Sequence, residues 1–299
     1  MIKRRILITG SSGLIGTASI PALEKDGIEI TRFLRQPPSE PTGSFLTGPL
    51  NPESLSGFDA VINLGGEPVA GRWTPAKKKR ILESRIAGTL QLSSALALAN
   101  PIPRVMISAS AIGYYGDRGD ETLTEDSRSG DGFLAEVCRQ WESATKSASD
   151  AGTRTVQMRI GVVLSARGGA LKEMLLPFKF GLGAKLGSGK QWLSWVHIAD
   201  LVGAVHHILD NPINGPVNLV APNPVTNAEF TQTLGAVLSR PAFLRLPSPV
   251  ARLIFGEMAD GVLLAGQRVK PAKLEASGYL FQYPELRPAL EDLLHSGKG

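Results

Sequence analysis

Apolar positions along this chain fall into two alternating rhythms. The run Ile6-Leu7-Ile8 is continuous, ends in Thr9-Gly10, and is short enough for a buried strand. It is followed by Leu14, Ala18 and Ala22 at helical spacing up to Gly27, which predicts a helix over residues 14–25. Residues 28–34, 59–64, 104–108 and 156–164 read as further strands, with a long helical stretch over 77–99 between the third and fourth of these five. An apolar helix over 198–209 is introduced by Trp195-Val196-His197, and Val217 to Val220 suggests a late strand. Strands alternating with helices predict an α/β fold with a doubly wound parallel sheet.

After residue 220 the texture changes to short helical pieces punctuated by Pro222, Pro224, Pro241, Pro247 and Pro249. The expected division is a nucleotide-binding domain over 1–220, with a lobe insertion near 171–190, and a smaller C-terminal substrate lobe over 221–299. Composition adds little to this: 42% hydrophobic and 20% charged residues are ordinary for a globular chain. The single cysteine, Cys138, cannot form an internal disulfide or a cysteine zinc cluster, which suits a reducing, cytoplasmic setting. No apolar run approaches the length of a membrane helix, so no membrane partner is expected. The net charge of +5 suits an anionic small molecule, whereas the basic run from Lys77 to Arg80 lacks the interleaved aromatics of a nucleic-acid site. His206 and His207 are adjacent on a helix and cannot share a face, so no metal site is expected.

The chemistry begins at Thr9-Gly10-Ser11-Ser12-Gly13-Leu14-Ile15-Gly16, three glycines at three-residue spacing where a strand becomes a helix. Such a turn admits a pyrophosphate close to the backbone and offers it the free N–H groups of a helix start, the fingerprint of a Rossmann-type dinucleotide site. Where NAD-preferring folds carry an acid at the end of the second strand, this chain reads Leu34-Arg35. An arginine there can pair with a 2'-phosphate, which points to NADP(H) as cofactor, with Arg32 as a competitor for the same role.

The spacing of Gly10, Gly13 and Gly16 resembles that of the extended short-chain dehydrogenase/reductases. Asn63-Leu64-Gly65-Gly66-Glu67, Arg72-Trp73, Ser84-Arg85, Ser108-Ala109-Ser110-Ala111 and Gly113-Tyr114-Tyr115-Gly116 resemble the NAD-dependent epimerase/dehydratase-related branch, whose members include sugar-nucleotide epimerases. The likeness extends into the C-terminal lobe through Asn227-Ala228-Glu229-Phe230 and Gly278-Tyr279. It implies that Leu64 and Gly65 lie beside the adenosine half of the cofactor, that Arg85 lies near its phosphates, and that Val162 belongs to the loop near the nicotinamide. It also allows a homodimer through the helices flanking the sheet.

The resemblance further implies a serine after the fifth strand and a Tyr-x-x-x-Lys pair on the next helix, the ammonium lowering the phenol's pKa. Ser110 matches the serine, but with Glu142 as register marker the helix offers Leu134 and Cys138 in place of the tyrosine and lysine. Ser110 and Tyr114 are therefore the catalytic candidates, with Tyr115 beside them as another phenol. Gln191, Trp195 and His197 are candidates for substrate contact at the cleft between sheet and lobe. The expectation is an NADP(H)-binding oxidoreductase or epimerase of atypical chemistry on a small polar or nucleotide-linked substrate, the alternative being a non-catalytic NADP(H)-binding sensor or scaffold.

Overall fold

The computed structural model describes residues 4–34, 36 and 43–295. Its centre is a seven-stranded sheet of β1 (Arg5–Thr9), β2 (Glu29–Phe33), β3 (Ser44–Leu46), β4 (Ala60–Asn63), β5 (Val105–Ala111), β6 (Arg154–Ile160) and β7 (Gly215–Leu219). The spatial order is β7-β6-β5-β4-β1-β2-β3 and every neighbouring pair is parallel. The order reverses between β1 and β4, and in such sheets ligands bind in the crevice at the carboxyl ends of the strands on either side of the reversal. Ile6, Ile8, Ile62 and Ile107 are buried on one face of the sheet and Leu7, Val61 and Met106 on the other, the two-sided burial that makes parallel strands read as continuous apolar runs.

Helices α1 (Leu14–Lys25), α2 (Pro75–Ala97) and α3 (Phe133–Ser143) flank the sheet, α4 (Gly169–Lys179) lies beside Val162–Leu164, and α5 (Ile198–Asp210) packs on the sheet through Leu201, Val205 and Ile208. α2 starts two residues ahead of the expected stretch because Thr74 accepts the Lys77 N–H at 3.2 Å and Pro75 occupies the first turn, where its missing donor costs nothing. Its buried stripe is Ile81, Leu92 and Leu96. α1 presents Ile20 and Leu23 to the sheet and ends where Gly27 takes φ +79°.

Two expectations are corrected. The strand expected over 156–164 is broken at Gly161, and Val162–Leu164 leaves the central sheet to pair in parallel with Trp195–His197, a short strand that runs directly into α5 as expected. A Cβ on Gly161 would stand 2.6 Å from the Ser194 carbonyl oxygen, so this crossing of chains requires glycine. Ser44–Leu46 adds an edge strand that the apolar pattern did not announce.

The smaller lobe draws on both the late chain and the segment after β6. Ala184–Leu186 pairs with Leu244–Leu246, and Trp192–Leu193 with Val225–Thr226. Helices α6 (Asn227–Val237) and α7 (Leu286–His295) enclose a second core containing Leu171, Phe178, Trp195, Phe230 and Leu290. Among the described residues no helix is long and apolar enough to cross a membrane.

Candidate active site

The glycine turn closes on itself through a Gly13 N–H to Gly10 carbonyl bond of 3.0 Å. Gly10 has φ +65°, and a Cβ there would lie 2.6 Å from the Leu64 carbonyl group; on Gly16 it would lie 2.7 Å from the Gly10 oxygen and the Ser11 backbone. These two glycines therefore let the turn, α1 and the end of β4 meet without side chains between them. Gly13 caps α1 with no side-chain hydrogen bond, and the first turn holds no acid. The first amides of α1, at Leu14, Ile15 and Gly16, thus face an exposed Ser12 and Gly13 with no carboxylate competing for them, which suits an anion. Gly168, at the start of α4, likewise provides no side-chain cap and lies against the Leu14 side chain.

β4 delivers the neighbouring loop. Asn63, 5% exposed, accepts from Thr9 Oγ1 at 2.7 Å and donates to Thr89 Oγ1 and Ser108 Oγ, while Trp141 Nε1–H donates to the same Thr89 oxygen. This satisfied polar knot locks the ends of β1, β4 and β5 to α2 and α3. Leu64 N–H then donates to the Thr9 carbonyl, placing Leu64 and Gly65 directly over Gly10. Arg85, on α2, reaches Gly66, donates to the Glu67 carbonyl at 2.9 Å and lies 4.9 Å over the Trp141 ring. Burial pulls its guanidinium below the ordinary arginine range. Leu34 follows β2 with its N–H bonded to Leu46, and Arg35 lies outside the described residues.

At the end of β5 the structure builds a buried chain of polar groups. Ser110 Oγ donates to Glu142 Oε1 at 2.7 Å. Arg159 holds the same carboxylate with two bonds of 2.9 Å, donates to the Tyr115 hydroxyl at 3.0 Å and to the Glu125 carbonyl at 3.2 Å. Tyr115 donates onward to Asn218 Oδ1 at 2.7 Å. Ser110 and Arg159 are register partners on β5 and β6, so their side chains share one face of the sheet, where α3 carries Glu142. Burial opposes the charge of Arg159, but the bonds and charge of Glu142 more than offset it and hold the guanidinium above its usual range. Burial pushes the Tyr115 phenol up to about 12.

Leu134 lies against Gly113, and Cys138 points its thiol at the Ala111 carbonyl, 3.6 Å away. Burial, then the Glu142 charge, push that thiol up to about 11. Neither residue relays a proton near neutrality. Tyr114 is half-buried, with the Arg159 guanidinium 3.5 Å from its ring centroid, so its face is stacked while the phenol in the polar chain is that of Tyr115. Glu142 and Arg159 are the site residues that sequence reasoning missed. A lone arginine inside the buried strand Val156 to Ile160 was the available signal, since such a cation demands a carboxylate partner.

The expected substrate contacts separate. Trp195 is fully buried, donates to the Asn223 carbonyl and belongs to the second core. His197, 2% exposed, caps α5 by accepting the Ala199 N–H on Nδ1, stacks on Tyr283 at 4.0 Å and places Nε2 3.3 Å from Asp292. Both are walled in by α7 and the chain leading to it, which replaces the expectation of substrate contact with a packing role. Gln191 clamps the Leu186 and Leu263 carbonyls together with its amide. Val162 follows β6, with its N–H on the Ser194 carbonyl.

Cavities open at two places among the described residues. One, of about 340 Å³, opens at the opposite end of the sheet beside Arg4, Asp59 and Arg104, far from the glycine turn. The other, of about 250 Å³, lies between the Gly113 to Gly116 turn, the start of α3 and residues 257–267 of the smaller lobe.

Residues 6–220 match the NAD dependent epimerase/dehydratase family. The chain belongs to that family. Residues 246–293 of this epimerase/dehydratase family member match a domain of unknown function. An epimerase family protein of Mycobacterium bovis is 44% identical over 295 residues, 97% of each chain. The human epimerase family protein SDR39U1, whose crystal structure contains NADPH, superposes with a TM-score of 0.90 at 39% identity, over 97% of this chain and 98% of that one. A nucleoside-diphosphate sugar epimerase from Corynebacterium glutamicum superposes with a TM-score of 0.81 at 40% identity, over 99% of this chain and 59% of that one.

Proposed function

We propose that this chain binds NADP(H) in the Gly10 to Gly16 turn and works as an oxidoreductase or epimerase on a small alcohol or carbonyl compound. The cofactor reading is supported by the bare helix start at Gly13, by the two glycines that let the turn, α1 and the end of β4 close on one another, and by the NADPH in the human relative's crystal structure. In that reading Gly10, Ser12, Gly13, Leu14, Ile15 and Gly16 hold the pyrophosphate. Leu64 and Gly65 flank the adenosine, Leu34 and Arg35 the ribose end, Arg85 the phosphates and Val162 the nicotinamide side. NADP(H) bound there supplies or takes up a hydride.

The observation that carries the catalytic reading is the Ser110 to Glu142 bond of 2.7 Å. Ser110 Oγ keeps lone pairs for a substrate hydroxyl while its own proton points at the carboxylate. Oxidation of an alcohol would send the hydroxyl proton to Ser110 and the serine proton to Glu142; reduction would run the same two transfers backward. Arg159 compensates the carboxylate's charge and fixes its orientation, and Tyr115 anchors Arg159. Epimerisation is the same pair of steps with the carbonyl intermediate turned between them.

The second reading, a non-catalytic NADP(H) sensor or scaffold, is favoured by Leu134 and Cys138 standing where an acid/base pair is expected and by Ser110 being only 3% exposed. NADPH consumption against a panel of ketones and aldehydes, with Ser110→Ala as control, separates the two. Turnover lost in the variant supports the enzyme; tight NADPH binding with no turnover on any carbonyl supports the sensor.

A further inference from the structure

Among the described residues thirteen large apolar side chains are exposed, and eight of them fall in two stretches of the smaller lobe, 176–182 and 243–254. Scattered singly such side chains are ordinary; gathered in one place they mark a contact surface. The two stretches run side by side. Ala184–Leu186 and Leu244–Leu246 are parallel neighbours, Arg240 donates to the Lys179 carbonyl at 3.0 Å, and a Cβ on Gly181 would stand 3.2 Å from Pro241. α4 turns Leu175 and Phe178 into the second core, so Leu176 and Phe180, one turn apart, point the other way. Phe180 and Phe243, 74% and 79% exposed, alone hold roughly 200–400 Å² of apolar surface in water, the scale of the largest patch on a typical monomer. The ladder leads into the helix Ser248–Phe255, whose Val250, Leu253 and Ile254 lie at i, i+3 and i+4. They form an apolar stripe facing solvent, while Ala251 is buried.

The charge around these side chains decides what covers them. Residues 174–199 and 230–256 include no aspartate or glutamate, against six cations: Lys179, Lys185, Lys190, Arg240, Arg245 and Arg252. Arg252 is compensated by Asp260 at 2.9 Å, whereas Arg240 and Arg245 donate to the Lys179 and Gly187 carbonyls, which leaves their charge in place. The nearest acid on α4, Glu173, is offset by Lys172 beside it. Two copies meeting through this face would bring the same cations together, as a two-fold contact must, so self-association is opposed. A nucleic acid would meet the cations and leave the leucines in water. An anionic lipid surface suits both features: its acyl boundary takes up leucine and phenylalanine, and its headgroups attract lysine and arginine.

We propose that this face of the smaller lobe docks the protein on the surface of an anionic lipid bilayer, with Phe180 and Phe243 entering the interface. The expectation of no membrane partner rested on the lack of a spanning segment, which lying on a bilayer does not require.

The test is sedimentation of the full chain with sucrose-loaded vesicles, of phosphatidylcholine alone or with about 30% phosphatidylglycerol. The chain is expected to sediment with the anionic vesicles only, and less at about 1 M salt, where charges are screened within about 3 Å. Phe180→Ser combined with Phe243→Ser, both at exposed positions, is expected to lower vesicle affinity at least about tenfold, and Lys179→Gln about fivefold, with Tm unchanged in both. Equal sedimentation with neutral vesicles, none with anionic ones, or undiminished binding in both variants would each overturn the proposal. So would dimerisation without lipid that the phenylalanine variant abolishes, since the face would then belong to a second copy.

Discussion

The hydroxyl of Ser110 donates to Oε1 of Glu142 across 2.7 Å, and the same oxygen accepts the Nε–H of Arg159 at 2.9 Å. A proton donor, a carboxylate and a compensating cation are therefore fixed in line at the end of β5, with 4% and 14% of the Arg159 and Glu142 side chains exposed. Breaking such a buried pair from one side strands a charge. Glu142→Gln is expected to cost about 3–5 kcal/mol in urea unfolding, whereas Glu142→Leu combined with Arg159→Met costs less than either single change. Equal or additive losses would show that the pair is not coupled.

Ser110→Ala removes the donor but leaves Glu142 on Arg159. With any ketone that supports NADPH consumption, kcat is expected to fall by roughly two orders of magnitude, the scale for losing one donor at a developing oxyanion, with little change in Tm. A variant with undiminished kcat would remove Ser110 from the chemistry.

Local signals made much of this molecule legible. The strand, glycine turn and helix from Arg5 to Lys25 could be read because glycine spacing, helix start and apolar period act within one short segment. Leu134 and Cys138 stand one turn apart on α3, a spacing that is legible because helical register is local. What the sequence hid depends on distant partners. Trp195 and His197 resemble cleft residues until α7, some ninety residues later, covers them. Arg159 pairs with Glu142 only because β6 lies beside β5, a neighbour relation that no periodicity encodes. Gly161 breaks its strand because the Ser194 carbonyl crosses there.

Cys138 is 2% exposed and its thiol is pushed up to about 11, chiefly by burial. At about pH 8 the native chain should therefore resist labelling by a disulfide reagent, while the chain in guanidinium should react fully. Rapid labelling of the native state would contradict the placement of α3 against β5.

His197 is held below its ordinary pKa of 6.5 by burial, against the opposing charges of Asp292 and Asp200. Below 6.5 the unfolded chain then binds more protons than the folded one, so stability contributed by the neutral ring is present above that value and is lost as the pH falls toward the folded pKa. Tm should fall more steeply between about pH 7 and pH 5 in the parent than in His197→Asn, which keeps a helix-capping side chain. Identical slopes would mean that His197 does not titrate differently on folding.

The central claim is the NADP(H) cradle, and titration of NADPH and NADH into nucleotide-free protein by calorimetry tests it most directly, with Gly13→Asp as the control. The expected result is one-to-one binding of NADPH, weaker binding of NADH, and loss of both in a folded Gly13→Asp chain, where a carboxylate would repel the pyrophosphate. No heat from either nucleotide, or undiminished affinity in Gly13→Asp, would contradict it.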